Sequence, residues 1–378
     1  MKIVSNATSG HWRWNVVSVV HASNVYKVFG ENGPDVVRKL EEGADRDDLT
    51  DLGTAAVIDV NFTVGKGEIF VVMGLSGSGK STLIRMVNGL WAPTSGSIEV
   101  AGKDISDMGK QQLRKLRADH VSMVFQHFAL LPHRTVRDNA AYALEIRGVD
   151  KKTRQEKADH WLHQVGLEGW GDKLPGELSG GMQQRVGLAR ALAAETDILL
   201  MDEAFSALDP LIRTEMQDQL IELQRALGKT IIFISHDLNE AMRLGDRIAI
   251  MRDGRIAHTG TATEILTNPA DSYIADFIAD VDRSRVLVAR DIMIAGSPDG
   301  AGLDGAASNL PTVAPDTRVC DIFGVSRDTG GAVAVIDNGT PVGIIDQAAL
   351  VASMTPPGGN GGVGTAGASG TTSDKAVN

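Results

Sequence analysis

The run Gly74-Leu75-Ser76-Gly77-Ser78-Gly79-Lys80-Ser81 sets glycines, hydroxyls and a lysine in the spacing G-x-x-x-x-G-K-[ST]. The chemistry suited to it is the binding of a chain of phosphates. Glycines let the backbone wrap closely, so that successive N–H groups point at phosphate oxygens. A helix beginning at Thr82-Leu83-Ile84 adds a dipole that favours anions. Lys80 can then bridge the outer phosphates, and the Ser81 hydroxyl can ligate Mg²⁺. A Gly-rich turn ahead of a helix is the plain alternative, and the full strand, loop, Lys-Ser and helix context disfavours it.

Two further groups carry chemistry. Ile198-Leu199-Leu200-Met201-Asp202-Glu203 is four apolar residues followed by two carboxylates. On a buried strand Asp202 would stand at the carboxyl end of the sheet, where ligands of doubly wound folds bind. There Asp202 can hold Mg²⁺ through its water shell, and Glu203 can act as general base on water. Leu178-Ser179-Gly180-Gly181-Met182-Gln183-Gln184-Arg185 opens a helix with Ser-Gly-Gly and makes a second anion-binding helix terminus. One nucleotide does not need two such sites, so this one would serve a nucleotide held by a second copy.

Elements that position these residues can be read from hydrophobic period. Residues 16–29 and 56–62 alternate as half-buried strands, and 67–73, 198–201 and 230–235 are near-continuous apolar runs suited to a sheet covered on both faces. A polar insertion at 31–52 holds a short helix around 35–42. Residues 211–227 repeat Leu and Ile at helical steps. Strands alternating with helices give an α/β core. The expected organisation is a leader at 1–15, an ATPase domain at 16–263, and closing helices with a linker at 264–285. A small α+β module at 286–354 and a Gly/Ser/Thr-rich tail at 355–378 follow, the tail too poor in apolar bulk to order itself.

Apolar residues make up 43% of the chain and charged residues 22%, the balance of a globular protein. A formal charge of -11 argues against a nucleic-acid binder. The single cysteine, Cys320, excludes an internal disulfide framework and suits a reducing compartment. No apolar run approaches the roughly 18 residues of a spanning helix. A cytoplasmic chain is the expectation.

The order of phosphate loop, Gln126, the 178–185 signature, Asp202-Glu203, Ser206-Ala207-Leu208-Asp209 and His236 resembles an ABC-type ATPase domain over roughly residues 16–263. The resemblance implies ATP and Mg²⁺ as ligands, and a RecA-like core with a β subdomain and a helical subdomain. It also implies that Gln126 senses the γ-phosphate and Mg²⁺, that His236 contacts the γ-phosphate, and that Asp209 lies at a dimer interface. Phe29 falls where the family stacks an aromatic ring on adenine, with Tyr26 the weaker candidate. The insertion and the segments 124–133 and 201–213 are similar to the ATPase subunit of glycine betaine/proline/choline uptake systems. That implies a head-to-tail pair of copies on the cytoplasmic face of the membrane, peripheral to a transmembrane permease subunit. It implies indirect service by an extracytoplasmic binding protein, osmoprotection as the role, and segment 127–137 as the dock for the permease. The module at 286–354 resembles one CBS unit or a remnant of one. An importer for another small solute is the alternative, followed by a non-transport ABC ATPase. The chain lacks the long coiled coil or the second ATPase domain that repair and translation members carry.

Overall fold

The computed structural model describes residues 18–295, 310–329 and 331–355. The expected leader and tail fall outside these residues, apart from Thr355 in the tail, and so does the glycine-rich break near 296–305. The chain divides into two compact units. One runs to Ile265 and resumes at Pro269–Asp282; the other holds Leu266–Asn268 and the chain from Arg283 onward.

The first unit contains two sheets. β1 (Ser18–Phe29), β2 (Thr54–Gly65), β4 (Ser95–Val100) and β5 (Lys103–Asp104) form an antiparallel sheet in the order β2-β1-β4-β5. The second sheet runs β10-β9-β3-β8-β7-β6. Its strands are β3 (Ile69–Met73), β6 (Val121–Val124), β7 (Ile198–Asp202), β8 (Thr230–Ser235), β9 (Arg247–Arg252) and β10 (Arg255–Gly260). All neighbours in it are parallel except β9 and β10. Every residue of β3, β7 and β8 is buried, as their unbroken apolar runs require. Parallel direction sends the ends of β6, β3, β7 and β8 to one edge, which is what gathers the site.

The insertion ahead of β2 forms α1 (Gly33–Glu41), with Pro34 fixing its first turn. Val36, Val37 and Leu40 pack with Leu49 on Tyr26, Val28, Ala55 and Ile58. The insertion is thus an integral small core on the β sheet. Leu40→Ala is expected to cost about 2–4 kcal/mol, read as a lower denaturant midpoint for the first unit. An unchanged midpoint would show that the insertion is not part of that core.

α2 (Lys80–Val87) follows the phosphate loop, and α3 (Lys110–His120) leads into β6. A helical group follows: α4 (Val136–Ala140), α5 (Tyr142–Ile146), α6 (Lys151–Gln164) and α7 (Gly180–Ala193), with α4 and α6 packed on α7. Asn139, fully buried, fixes the loop before α4: its Oδ1 accepts from the Leu131 N–H, and its Nδ2 donates to the carbonyls of Leu131, Arg134 and Thr135. α8 (Pro210–Leu227) and α9 (Leu238–Leu244) complete the core, and α10 (Ala262–Thr267) and α11 (Ser272–Phe277) are the closing helices.

In the second unit, α12 (Arg283–Val286) occupies the end of the stretch expected as linker. Its polar sequence misleads because Arg283 is buried, donating to the carbonyls of Leu266 and Ser353 at 2.8 Å each. Beyond α13 (Ala289–Ile292), β11 (Ile294–Ala295), β12 (Thr312–Val313), β13 (Val333–Asp337) and β14 (Thr340–Ile345) pair in the order β11-β14-β13-β12. α14 (Val319–Thr329) packs on β13 and α15 (Gln347–Met354) packs on α12, α13 and α14; Val333, Val335 and Ile345 are fully buried. β12 and β13 are parallel and joined through α14.

Candidate nucleotide site

The phosphate loop leaves β3 at Gly74 and enters α2 at Lys80. Gly74 and Gly79 are in positive φ, at 148° and 101°. A Cβ on Gly74 would stand 2.2 Å from the Met251 carbonyl oxygen, and one on Gly79 2.2 Å from that of Ala56. Both positions therefore demand glycine on two counts. Leu75, Ser76 and Gly77 form the exposed crest, while Ser78 is buried and its Oγ has no partner among the described residues. Lys80 is 4% exposed, and its Nζ donates to the carbonyls of Gly74 at 2.8 Å and Leu75 at 2.9 Å. Burial pushes the Lys80 amine below its ordinary value, opposed by the carboxylates of Glu203 and Asp202. The first-turn N–H groups of α2, those of Lys80, Ser81 and Thr82, have no partner within the helix. An orphaned hydroxyl, a buried amine and free helix-start N–H groups suit polyphosphate.

Asp202 ends β7 and accepts from the Ser81 hydroxyl at 3.0 Å. Burial raises its carboxyl above the ordinary range, while the Ser81 hydroxyl and Arg85, 4.0 Å away, pull it down. A buried carboxylate beside a serine hydroxyl is a hard oxygen pair of the kind Mg²⁺ takes.

Glu203, the next residue, is left-handed at φ 45°. Its N–H donates to the Ile234 carbonyl at 3.1 Å, and the Glu203 carbonyl accepts from the Ser206 hydroxyl at 2.9 Å. This turn sends its carboxylate away from Asp202's position toward two partners. Gln126 Nε2 donates to Glu203 Oε2 at 3.1 Å, and His236 Nδ1 lies 3.1 Å from the same oxygen. Gln126 comes two residues after β6 and His236 one after β8. Arg213 joins the loops behind them, bonding Asp237 at 3.2 Å and the Leu208 carbonyl at 3.1 Å.

Phe29, 38% exposed at the end of β1, meets Trp91 edge-on with ring centroids 5.1 Å apart. Arg85 lies over the Trp91 ring at 5.0 Å, so an aromatic and cationic row runs from Phe29 to Asp202. Trp91 and Arg85 were not anticipated; an Arg in the last turn of a helix and a Trp four residues past its end carry no distinctive spacing. Tyr26 is 6% exposed and packs in the small core with α1. Burial raises its hydroxyl's pKa. It is removed as an adenine-stacking candidate.

Ser179, Gly180 and Gly181 do not join this group. Ser179 caps α7, accepting from the Met182 N–H at 3.3 Å, and both it and Gly180 are exposed. A Cβ on Gly181 would lie 3.1 Å from the Ile212 side chain, which places the signature beside the start of α8. There Asp209 is exposed and caps α8 by accepting from the Ile212 N–H at 3.1 Å. The chain thus presents one phosphate loop with its carboxylates and, separately, an open helix terminus.

A parallel sheet whose adjacent strand ends carry a phosphate loop, Asp-Glu, Gln and His, with a detached Ser-Gly-Gly helix start, defines a phosphate-loop ATPase of the ABC class. Residues 57–206 match the ABC transporter family. The glycine betaine transport ATP-binding protein of Bacillus subtilis (strain 168) is 54% identical over 276 residues, 72% of this chain and 66% of that protein. The trimethylamine N-oxide transport system ATP-binding protein of Ruegeria pomeroyi is 46% identical over 330 residues, 87% of this chain and 95% of that one. A solved dimeric ATP-binding cassette in a post-hydrolysis state, bound to ADP and phosphate, is 31% identical with a TM-score of 0.56. That match covers 64% of this chain and 98% of the other. The chain belongs to the ATP-binding proteins of ABC transporters. It is an ATPase that uses ATP with Mg²⁺, and it spans about two thirds of the length of the betaine relative.

Proposed function

We propose that two copies of this chain drive import of a small quaternary amine (choline, glycine betaine or proline betaine), through separate membrane-spanning permease subunits. The observation that carries this is the division of the site. Glu203 gathers Gln126 and His236 beside the phosphate loop, while Ser179 and Gly180 stand exposed at the start of α7, outside that group. A second copy, placed head to tail, supplies the missing half, with Asp209 at the join. The dimeric relative supports that arrangement.

In this reading the loop N–H groups and Lys80 bind the phosphates of ATP, and Phe29 stacks on adenine. Ser81, Asp202 and Gln126 would hold Mg²⁺, which offsets charge on the phosphate oxygens when bound. Glu203 takes a proton from the attacking water as that oxygen bonds the γ-phosphorus and ADP departs. His236 orients the water. ATP binds the closed pair better than the open one, and that difference does the conformational work.

Among the described residues no helix is long and apolar enough to cross a membrane. A cavity of about 460 Å³ opens between α3, β6, α5 and the end of α7, with Arg114, Arg117 and Arg147 beside Met123 and Ile146. This cavity suits the cytoplasmic helices of the permease better than segment 127–137, none of whose residues line it. The chain then sits at the cytoplasmic face, and an extracytoplasmic binding protein reaches it only through the permease. The β12-α14-β13-β14-α15 order supports reading the second unit as a single CBS-like module.

Trimethylamine N-oxide is a second reading, favoured by a match that continues through more of the chain than the betaine match. Both compounds carry a nitrogen with three methyl groups. Uptake of labelled glycine betaine, trimethylamine N-oxide and choline would be measured in cells lacking the gene, with and without complementation. Restored betaine uptake is the expected result. Restoration of the N-oxide alone would install the second reading, and restoration of none would remove the substrate class while leaving the ATPase.

A further inference from the structure

One face of α7 runs along the segment that follows Gln126. Gly180, Gln184 and Gly187 share that face by their spacing of four and three. Phe128 touches it at both ends: its ring lies 3.9 Å from where a Cβ on Gly180 would stand, and its carbonyl oxygen 3.8 Å from the same point on Gly187. One turn on, Arg190 donates from Nη2 to the Phe128 carbonyl at 2.8 Å and from Nη1 to the Ala129 carbonyl at 2.6 Å. Both acceptors are left-handed, with φ of 57° and 47°. The Ala129 N–H folds back to the His127 carbonyl at 2.5 Å, closing a three-residue turn of the strained hand. Such a turn persists only where its surroundings hold it. The guanidinium fork, with donors in fixed geometry, is the group that holds these two carbonyls. Gln184 is fully buried, and neither polar atom of its side chain has a partner among the described residues. The face therefore carries polar groups that another arrangement of the turn could satisfy.

We propose that Arg190 is a positioning residue: through the Phe128–Ala129 turn it sets Gln126, and so ties the signature end of α7 to the γ-phosphate sensor of the same chain. α7 then links the partner's nucleotide, at Ser179-Gly180-Gly181, to this chain's own. Arg190 also lines the cavity assigned to the permease, so a docked helix reaches the same clasp. The inference rests on the roles given above to Gln126 and the signature.

The test is a double-mutant cycle on ATPase turnover of the assembled transporter with Arg190→Gln, Gln126→Ala and both. Arg190→Gln is expected to lower kcat about tenfold with KM for ATP nearly unchanged, because the phosphate loop keeps its place. In the Gln126→Ala background the same substitution is expected to add no further loss. Arg190→Lys, which keeps the charge and loses the fork, should fall between, and carries the cycle if the Gln variant does not assemble. Additive losses, or normal kcat in both Arg190 variants beside an impaired Gln126→Ala, would overturn the proposal alone. Full activity in Gln126→Ala would overturn the sensor assignment and this proposal with it.

Discussion

Glu203→Gln is expected to slow ATP hydrolysis by about 10²- to 10⁴-fold while ATP still binds. The argument is geometric. The left-handed turn at Glu203 aims its carboxylate at Gln126 and His236, 3.1 Å from each, on the edge where the phosphate loop opens. Glutamine keeps the volume and one carbonyl oxygen but accepts no proton. The loss corresponds to about 3–5 kcal/mol of barrier. The variant leaves Lys80 on the Gly74 and Leu75 carbonyls and Ser81 on Asp202, so nucleotide affinity should stay near that of the unmodified chain. Phosphate release and calorimetric binding, measured on the same preparation, check both halves. Unchanged turnover would remove Glu203 as the base.

Lys80→Ala is expected to act on the other quantity. Lys80 is a buried amine whose donors rest on the Gly74 and Leu75 carbonyls. Moving them to phosphate oxygens exchanges neutral acceptors for charged ones, which strengthens each bond roughly twofold. Removal should weaken ATP binding by about 10²- to 10³-fold, since charge-assisted bonds are worth about 1.5–3 kcal/mol each. Titration is best done in the Glu203→Gln background, where turnover does not blur the isotherm. Normal affinity there would mean that the backbone N–H groups bind the phosphates unaided.

These two residues were legible in the sequence because each lies in a contiguous run at a strand end, where an apolar pattern stops and chemistry begins. β3, β7 and β8 were legible for the same reason. What escaped depends on contacts far apart in the chain or on broken period. β1 is a case: register shifts on both sides of Val25, and a left-handed Asn24, put Val25 and Tyr26 both indoors. Strict alternation would place one of these two neighbours outside. Arg190 and Phe128 are 62 positions apart, and no local pattern marks the pair. The polar run before α12 reads as linker because composition does not show that the Arg283 donors meet two carbonyls inside the second unit. Ser179 and Asp209 are caps of α7 and α8 in one chain, and a cap is all that local geometry asks of them. Their further roles depend on the second copy.

The most direct measurement uses proteoliposomes holding this chain with the permease and binding protein proposed for it, ATP on the side of this chain, and labelled glycine betaine on the other. ATP-dependent accumulation that Glu203→Gln abolishes, with the ATPase lost in parallel, is the predicted result. Accumulation that continues at the same rate in Glu203→Gln, or without ATP, would contradict the claim that hydrolysis at this site drives import.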